Sequence, residues 1–220
     1  MFRVKICGLR TSTDLQAAVL AGADAVGLNF YPQSKRYLDP SLASVIVSEI
    51  PSSVTRVGLF VNSPADHILH LANLLSLHVL QLHGDEPPEL LQELRGWNIL
   101  RAFRCSRPDF EEIDTYLDAC RSLDCLPWAV LLDGFSSHQY GGTGQTADWH
   151  LASTWPHRPD RPPLVLAGGL TPSNVSQAIR TVRPWAVDTA SGVELSPGIK
   201  SADLMQQFVS NASQAFAAEK

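Results

Sequence analysis

The stretch Phe2-Arg3-Val4-Lys5-Ile6-Cys7-Gly8 sets the pattern that the rest of the chain repeats. It is a short apolar run that ends on a reactive residue followed at once by a glycine. Later apolar runs also end on a polar residue or a glycine, at His83-Gly84, Asp133-Gly134, Gly168-Gly169 and Asp188. A chain that repeats strand, polar tip and helix brings such tips together at one mouth. We therefore predict that Cys7 lies in a functional site.

Eight apolar runs are the predicted strands, and each is apolar almost throughout, as is typical of strands buried on both faces. They are Phe2–Cys7, Ala25–Phe30, Arg56–Val61, Val79–His83, Ile99–Arg104, Ala129–Asp133, Leu164–Ala167 and Ala186–Asp188. Segments with helical periodicity separate and follow them. These are Thr13–Ala21, Ser41–Ile50, Pro64–Leu75, Pro88–Leu94, Asp109–Cys120, Ala147–Trp155, Pro172–Val182 and Ser201–Ala217.

This alternation predicts an α/β fold with parallel strands joined by crossover helices. In 220 residues, a closed (β/α)8 TIM barrel with an outer ring of helices fits the count better than a doubly wound sheet. The alternation runs from end to end, so we expect residues 1–220 to form one domain, with Pro156–Pro163 as a surface loop. Ser63-Pro64 and Thr171-Pro172 are typical helix starts, and Gly22 is placed to end the first helix.

Composition excludes several classes of protein. The net charge of -5 is spread over the chain, without the basic stripe that nucleic-acid binding requires. No apolar run approaches the roughly 18 residues of a membrane span, and the N-terminus lacks the pattern of a signal peptide. The four cysteines have irregular spacing and form no zinc motif. We expect a cytoplasmic protein without a metal or cofactor, in which a disulfide between Cys120 and Cys125 is conceivable but disfavoured.

Two glycine-bearing turns indicate a phosphate site. Gly168-Gly169 follows the seventh strand and precedes a helix, and Ser191-Gly192 follows the eighth strand. Loops seven and eight of barrels commonly bind phosphate through backbone N–H groups and a helix N-terminus. Either turn alone would be read as an ordinary tight turn, but the two together favour phosphate.

Four further residues are candidates for chemistry or substrate binding. Asp133 ends an apolar strand, where a carboxyl is costly unless it faces a polar mouth; otherwise it caps the following turn. Cys7 is either a thiolate base or a small buried hydrophobic residue. Arg36 either binds a substrate carboxylate or lies in a solvated basic loop. His83 either titrates or hydrogen-bonds the loops.

Together these residues resemble the phosphoribosylanthranilate isomerase family of tryptophan biosynthesis. The resemblance extends over nearly the whole chain. Its motifs are Lys5-Ile6-Cys7-Gly8, Ala23-Asp24-Ala25-Val26-Gly27-Leu28-Asn29-Phe30, Ser34-Lys35-Arg36-Tyr37, Val79-Leu80-Gln81-Leu82-His83-Gly84, Gly141-Gly142-Thr143-Gly144, Leu166-Ala167-Gly168-Gly169-Leu170 and Val187-Asp188-Thr189-Ala190-Ser191-Gly192-Val193-Glu194. Thr189-Ala190 and Ser201 depart from the usual pattern.

The resemblance implies an Amadori rearrangement of an N-linked phosphoribosyl aminoaldose to an aminoketose, without metal or cofactor. It implies Cys7 as general base, Asp133 as general acid and Arg36 as the partner of the anthranilate carboxylate. The turns at Gly168-Gly169 and Ser191-Gly192 would bind the phosphate, and Asp188 would lie near the sugar. The sequence leaves monomer and homodimer open.

Rival interpretations have weaker support. An aldolase would need a Schiff-base lysine at a strand end, and none is evident. A metal-dependent epimerase would need more histidines and carboxylates there than His83, Asp133 and Asp188. An isomerase that also accepts the analogous histidine-pathway intermediate would be expected to carry aspartate in place of Cys7. A phosphate sensor or an inactive scaffold is the non-enzymatic alternative, and it predicts that Cys7 and Asp133 do not share a pocket.

Overall fold

A computed structural model describes residues 1–105, 109–134, 149–155 and 160–219 of the chain. Eight parallel strands close into a barrel, in which each strand pairs with the next and the eighth pairs with the first. The strands are β1 (Val4–Cys7), β2 (Ala25–Asn29), β3 (Thr55–Phe60), β4 (Val79–Leu82), β5 (Asn98–Cys105), β6 (Ala129–Gly134), β7 (Leu164–Leu166) and β8 (Ala186–Thr189). The predicted (β/α)8 barrel is confirmed.

Helices follow the strands along the chain. They are α1 (Ser12–Leu20), α2 (Pro40–Ser48), α3 (Ala65–Leu74), α4 (Pro88–Glu93), α5 (Glu111–Ser122), α6 (Trp149–Ala152), α7 (Val175–Val182) and α8 (Ala202–Ala218). Gly22 ends the first helix as predicted, at φ +88°. The Gly22 N–H donates to the Val19 carbonyl and the Ala23 N–H to the Ala18 carbonyl, the two bonds of a Schellman motif.

At the other two predicted helix starts, the expected side-chain cap does not form. Helix α3 begins after Pro64 without a side-chain cap, so Ser63 does not cap it. Helix α7 begins three residues later than expected, because the Thr171 N–H donates to Asn174 Oδ1 at 2.8 Å and the segment between them is a turn. Helix α6 covers only part of the predicted helix, of which residues 147–148 lie outside the described residues.

Side chains that point into the barrel form a core separate from the one between strands and helices. At the N-terminal end and middle of the barrel this interior is apolar, with Phe2, Val57, Val79, Leu131 and Val165 packed together. Toward the C-terminal ends of the strands it becomes polar. The strands therefore carry the functional side chains on a packed base, which holds them in fixed positions.

A short hairpin, absent from the predicted elements, follows β8. A 3₁₀ turn at Ser191–Val193 leads into β9 (Glu194–Ser196), which pairs with β10 (Ile199–Lys200). In the part of the chain that the structure describes, no helix is long and apolar enough to cross a membrane. Cys120 and Cys125 are free thiols, so the disfavoured disulfide does not form. The turn Gly141-Gly142-Thr143-Gly144 lies outside the described residues, as does the first half of the predicted loop Pro156–Pro163.

Candidate active site

A pocket that opens to solvent lies at the C-terminal mouth of the barrel. All the sequence-predicted site residues except Gly192 line it. The lining residues are Cys7, Asn29, Ser34, Arg36, Leu59, Gln81, His83, Asp133, Ala167, Gly168, Gly169, Leu170, Asp188, Thr189, Ala190 and Ser191. Cys7 and Asp133 thus face one pocket, the arrangement that an inactive scaffold would not require.

The thiol of Cys7 lies above a buried ion pair. Lys5 precedes Cys7 by two residues in β1, so both side chains point into the barrel. Lys5 is fully buried, and its Nζ lies 2.9 Å from Asp188 Oδ1. The Lys5 ammonium acts on Cys7 electrostatically from the neighbouring inward position of β1. Gly27 of β2 gives the thiol its space, since a Cβ at that position would lie 2.6 Å from Cys7 Sγ.

These charges act on Cys7 in opposite directions. Burial raises the pKa of the Cys7 thiol, Lys5 acts to lower it, and Asp188 adds to the increase, so the pKa lies above its ordinary value. Burial alone would lower the pKa of Lys5, but Asp188 and Cys7 outweigh it and the pKa is raised. Lys5 is therefore an ammonium, and Cys7 in the ligand-free protein is a thiol at neutral pH.

A chain of hydrogen bonds across the pocket fixes Asp133. Gln81 Nε2 lies 2.9 Å from His83 Nδ1, and His83 Nε2 lies 3.2 Å from Asp133 Oδ2. The Gly134 N–H donates to Asp133 Oδ1 at 2.8 Å. Because both carboxyl oxygens are engaged, the side chain is held at the mouth. Between the two predicted roles of His83, this contact favours the one in hydrogen bonding.

A buried charge network holds Arg36. Arg36 donates from Nε and Nη2 to the two Glu194 oxygens at 2.8 Å and 2.7 Å. Lys200 Nζ donates to Glu194 Oε1 and to the Ala190 carbonyl, each at 2.8 Å. Burial alone would raise the pKa of Glu194, but Arg36 and Lys200 outweigh it and lower the pKa. Glu194 occupies one edge of the guanidinium, and Nη1 and the second N–H of Nη2 form the other edge, which is the one that could meet a substrate carboxylate.

The two predicted phosphate turns lie side by side. Gly168 and Gly169 adopt φ values of +80° and +63°, which glycine tolerates best. A Cβ on Gly168 would come within 2.0 Å of the Gly134 nitrogen, and one on Gly192 within 1.8 Å of the Leu170 carbonyl oxygen. Only glycine permits both approaches. Gly192 packs against the Leu170 backbone and does not line the pocket, whereas Ser191 does.

Several site residues have no counterpart among the sequence predictions. Lys5, Gln81, Glu194 and Lys200 carry much of the charge and hydrogen bonding of the site. A signal existed for the first two, because a lysine and a glutamine inside otherwise apolar strands need buried partners. In the described ranges, no group of three or more His, Cys, Asp or Glu residues is arranged to hold a metal ion.

Comparisons with known proteins agree with one another. The family model described as N-(5'phosphoribosyl)anthranilate (PRA) isomerase matches residues 4–211. The N-(5'-phosphoribosyl)anthranilate isomerase of Bordetella parapertussis is 45% identical over 208 residues, 94% of each chain. A crystal structure of phosphoribosyl anthranilate isomerase in complex with reduced 1-(o-carboxyphenylamino)-1-deoxyribulose 5-phosphate has a TM-score of 0.81 and 40% identity, covering 97% of this chain and all of that one. A structure of monomers made from the dimeric Thermotoga maritima enzyme matches equally well, with the same values.

Proposed function

This chain belongs to the N-(5'-phosphoribosyl)anthranilate isomerase family, the isomerases of tryptophan biosynthesis, and we propose that Cys7 and Asp133 are its catalytic base and acid. The substrate is N-(5'-phosphoribosyl)anthranilate, and the product is 1-(2-carboxyphenylamino)-1-deoxyribulose 5-phosphate. The observation that carries the assignment is the single pocket lined by both side chains.

Asp133 starts the reaction by protonating the furanose ring oxygen. The bond from that oxygen to C1′ breaks, and the nitrogen lone pair forms a C=N bond, which gives an open-chain iminium. The hydrogen bonds from His83 and Gly134 keep the carboxyl group at the mouth, where the ring oxygen must lie. General acid catalysis of this kind typically contributes about 10²–10⁴-fold to a rate.

Cys7, as a thiolate, then removes the proton from C2′. The electron pair of the C2′–H bond forms a C1′=C2′ double bond, the C=N pair returns to the nitrogen on C1′, and the enolamine that results tautomerises to the ketone. Asp133 has lost one proton and Cys7 has gained one, so the protons balance once solvent resets both groups. The iminium also favours the thiolate electrostatically, which offsets the raised pKa of Cys7 in the ligand-free protein.

The ends of the pocket suit the two anionic ends of this substrate. Arg36 Nη1 is the donor for the anthranilate carboxylate, and the turns at Gly168-Gly169 and Ser191 present backbone N–H groups to the phosphate. Asp188 lines the same pocket, where it would accept from sugar hydroxyls. Holding a substrate between acid and base can supply roughly 7–11 kcal/mol of barrier reduction in favourable cases.

A fluorescence assay tests the proposal. Purified protein under reducing conditions is mixed with the anthranilate adduct, and the loss of adduct fluorescence is followed. We expect conversion by the wild-type chain, little by Cys7→Ser, and normal conversion by the control Cys125→Ser, because Cys125 does not line the pocket. Absence of conversion by the wild type would favour the scaffold interpretation.

The proposal extends to the oligomeric state and the cellular compartment of the enzyme. A mass of 24.0 kDa or twice that value in sedimentation would establish a monomer or a homodimer. The dimeric Thermotoga maritima relative makes the second state a specific expectation to test. We place the enzyme in the cytoplasm, because its described cysteines are free and such thiols persist in a reducing compartment.

A further inference from the structure

We propose that Lys5 is a positioning residue that controls the charge on Cys7, and that Asp188 sets how strongly it does so. This inference rests on the proposed role of Cys7 as the base. It assigns to the ion pair beneath the pocket a function in the proton transfer, in addition to any role in holding the barrel together.

The geometry gives Lys5 two charged or titratable neighbours. Lys5 and Asp188 are register partners between β1 and β8, and their side chains meet at 2.9 Å inside the barrel. The Cys7 side chain occupies the next inward position of the same strand. One ammonium group therefore lies against an aspartate and next to the proposed base along the strand.

Stability alone does not explain a lysine at this position. A buried ion pair costs desolvation of both groups, and apolar residues of similar volume are often equally stabilising. The neighbouring interior positions are in fact apolar, for example Ala25, the register partner of Lys5 on the other side. A charged pair at this depth is better explained by what it does to the thiol above it.

The other charged groups at the mouth are bonded to residues other than Lys5 and Asp188. Lys200 of β10 acts on Cys7 in the same direction as Lys5, but its Nζ is bonded to Glu194. Arg36 is bonded to the same carboxylate, and Asp133 to His83. Lys5 and Asp188 are thus the pair whose balance most directly decides whether Cys7 holds its proton.

Substrate binding would shift that balance. A sugar hydroxyl that donates to Asp188 disperses the carboxylate charge, and Lys5 then interacts more strongly with sulfur than with Asp188. The Cys7 proton passes to solvent water, and the thiolate remains next to the ammonium. The site would in this way generate its base when the sugar is bound, and keep a less reactive thiol when the pocket is empty.

The rate at which iodoacetamide alkylates Cys7 in the ligand-free protein tests this, because only the thiolate reacts. The modified Cys7 peptide is quantified by mass spectrometry between pH 6 and 10, so the other cysteines do not interfere. We expect Lys5→Met to slow alkylation at pH 7.5 about tenfold, equivalent to a pKa rise of about one unit. Asp188→Asn should accelerate it by a similar factor, and the double variant should lie near the wild type.

The opposite signs separate this proposal from a structural role. If the pair only stabilised the barrel, both single variants would loosen the site and change alkylation in the same direction, which would overturn the inference. Lys5→Arg, which keeps the charge, should retain a rate within about threefold of wild type. Should Lys5→Met fail to fold, Asp188→Asn and the charge-neutral double variant still give a result, and an unaccelerated Asp188→Asn protein refutes the proposal.

The alkylation experiment and the turnover of Cys7→Ser can fail separately. If Cys7→Ser kept normal turnover while the alkylation rates shifted as expected, the role of Cys7 as base would fail and the control of its charge would stand. If Cys7→Ser lost turnover while the alkylation rates did not shift, the reverse would hold.

Discussion

Replacing Arg36 with alanine tests the carboxylate end of the pocket. The structure bears on the size of the effect, because Glu194 engages Nε and one N–H of Nη2, and Nη1 is the donor proposed for the substrate. One hydrogen bond between charged groups is worth about 1.5–3 kcal/mol, which corresponds to roughly a 10- to 150-fold increase in KM. We expect kcat to change much less, because this contact is made equally in the ground state and the transition state.

The assay compares two substrates. Steady-state fluorescence kinetics are measured with the anthranilate adduct, and a substrate without the carboxylate, N-(5'-phosphoribosyl)aniline, is followed by product absorbance. Wild type and Arg36→Ala should differ in KM only for the first substrate. Arg36→Lys is the matched control, since it keeps the positive charge and should show an intermediate KM.

Two outcomes would refute this reasoning. An equal rise in KM for both substrates would mean that Arg36 shapes the pocket without binding the carboxylate. An unchanged KM for the anthranilate adduct would place the carboxylate elsewhere. Urea unfolding of each variant controls for stability, because loss of Arg36 leaves the buried Glu194 paired with Lys200 alone.

Two further predictions concern the pH dependence of Cys7 and the glycine turn at Gly168-Gly169. Because burial, only partly offset by Lys5, raises the pKa of Cys7, its thiolate fraction grows as pH rises, and alkylation of Cys7 by iodoacetamide in the ligand-free protein should accelerate between about pH 7 and 9. An alkylation rate that stays constant over that range would contradict the raised pKa. Gly168→Ala should lower the free energy of unfolding by about 2–5 kcal/mol, combining left-handed strain with a clash, whereas Gly96→Ala, at φ +96° in open space, should lose only about 1–2. Equal losses in urea titrations would show that the close approach at Gly168 does not matter.

The barrel was predictable because its strands are buried on both faces, which leaves runs such as Ala129–Leu132 without polar interruption. The closing glycine of the first helix was predictable for a local reason, since residues beyond a helix end often need a positive φ. Helix starts were less predictable. At Thr171, the expected cap is replaced by a turn in which the Thr171 N–H donates to the Asn174 side chain.

The pocket was predictable to the extent that its residues end strands. Cys7, Asp133 and Asp188 all occupy such positions, and the structure brings them to one mouth. The network around Arg36 was not predictable, because Glu194 and Lys200 lie on a hairpin whose strands are only three and two residues long. Pro197-Gly198 between them was the available turn signal.

Single-turnover kinetics of Cys7→Ser and Asp133→Asn test the central claim most directly. With enzyme in excess over the anthranilate adduct, each variant should convert substrate at least about 100-fold more slowly than wild type, the lower range for loss of an acid or base. The dissociation constant of reduced 1-(o-carboxyphenylamino)-1-deoxyribulose 5-phosphate, measured by titration, should change far less. A variant that converts substrate at a near-normal rate would contradict the role assigned to the residue it lacks.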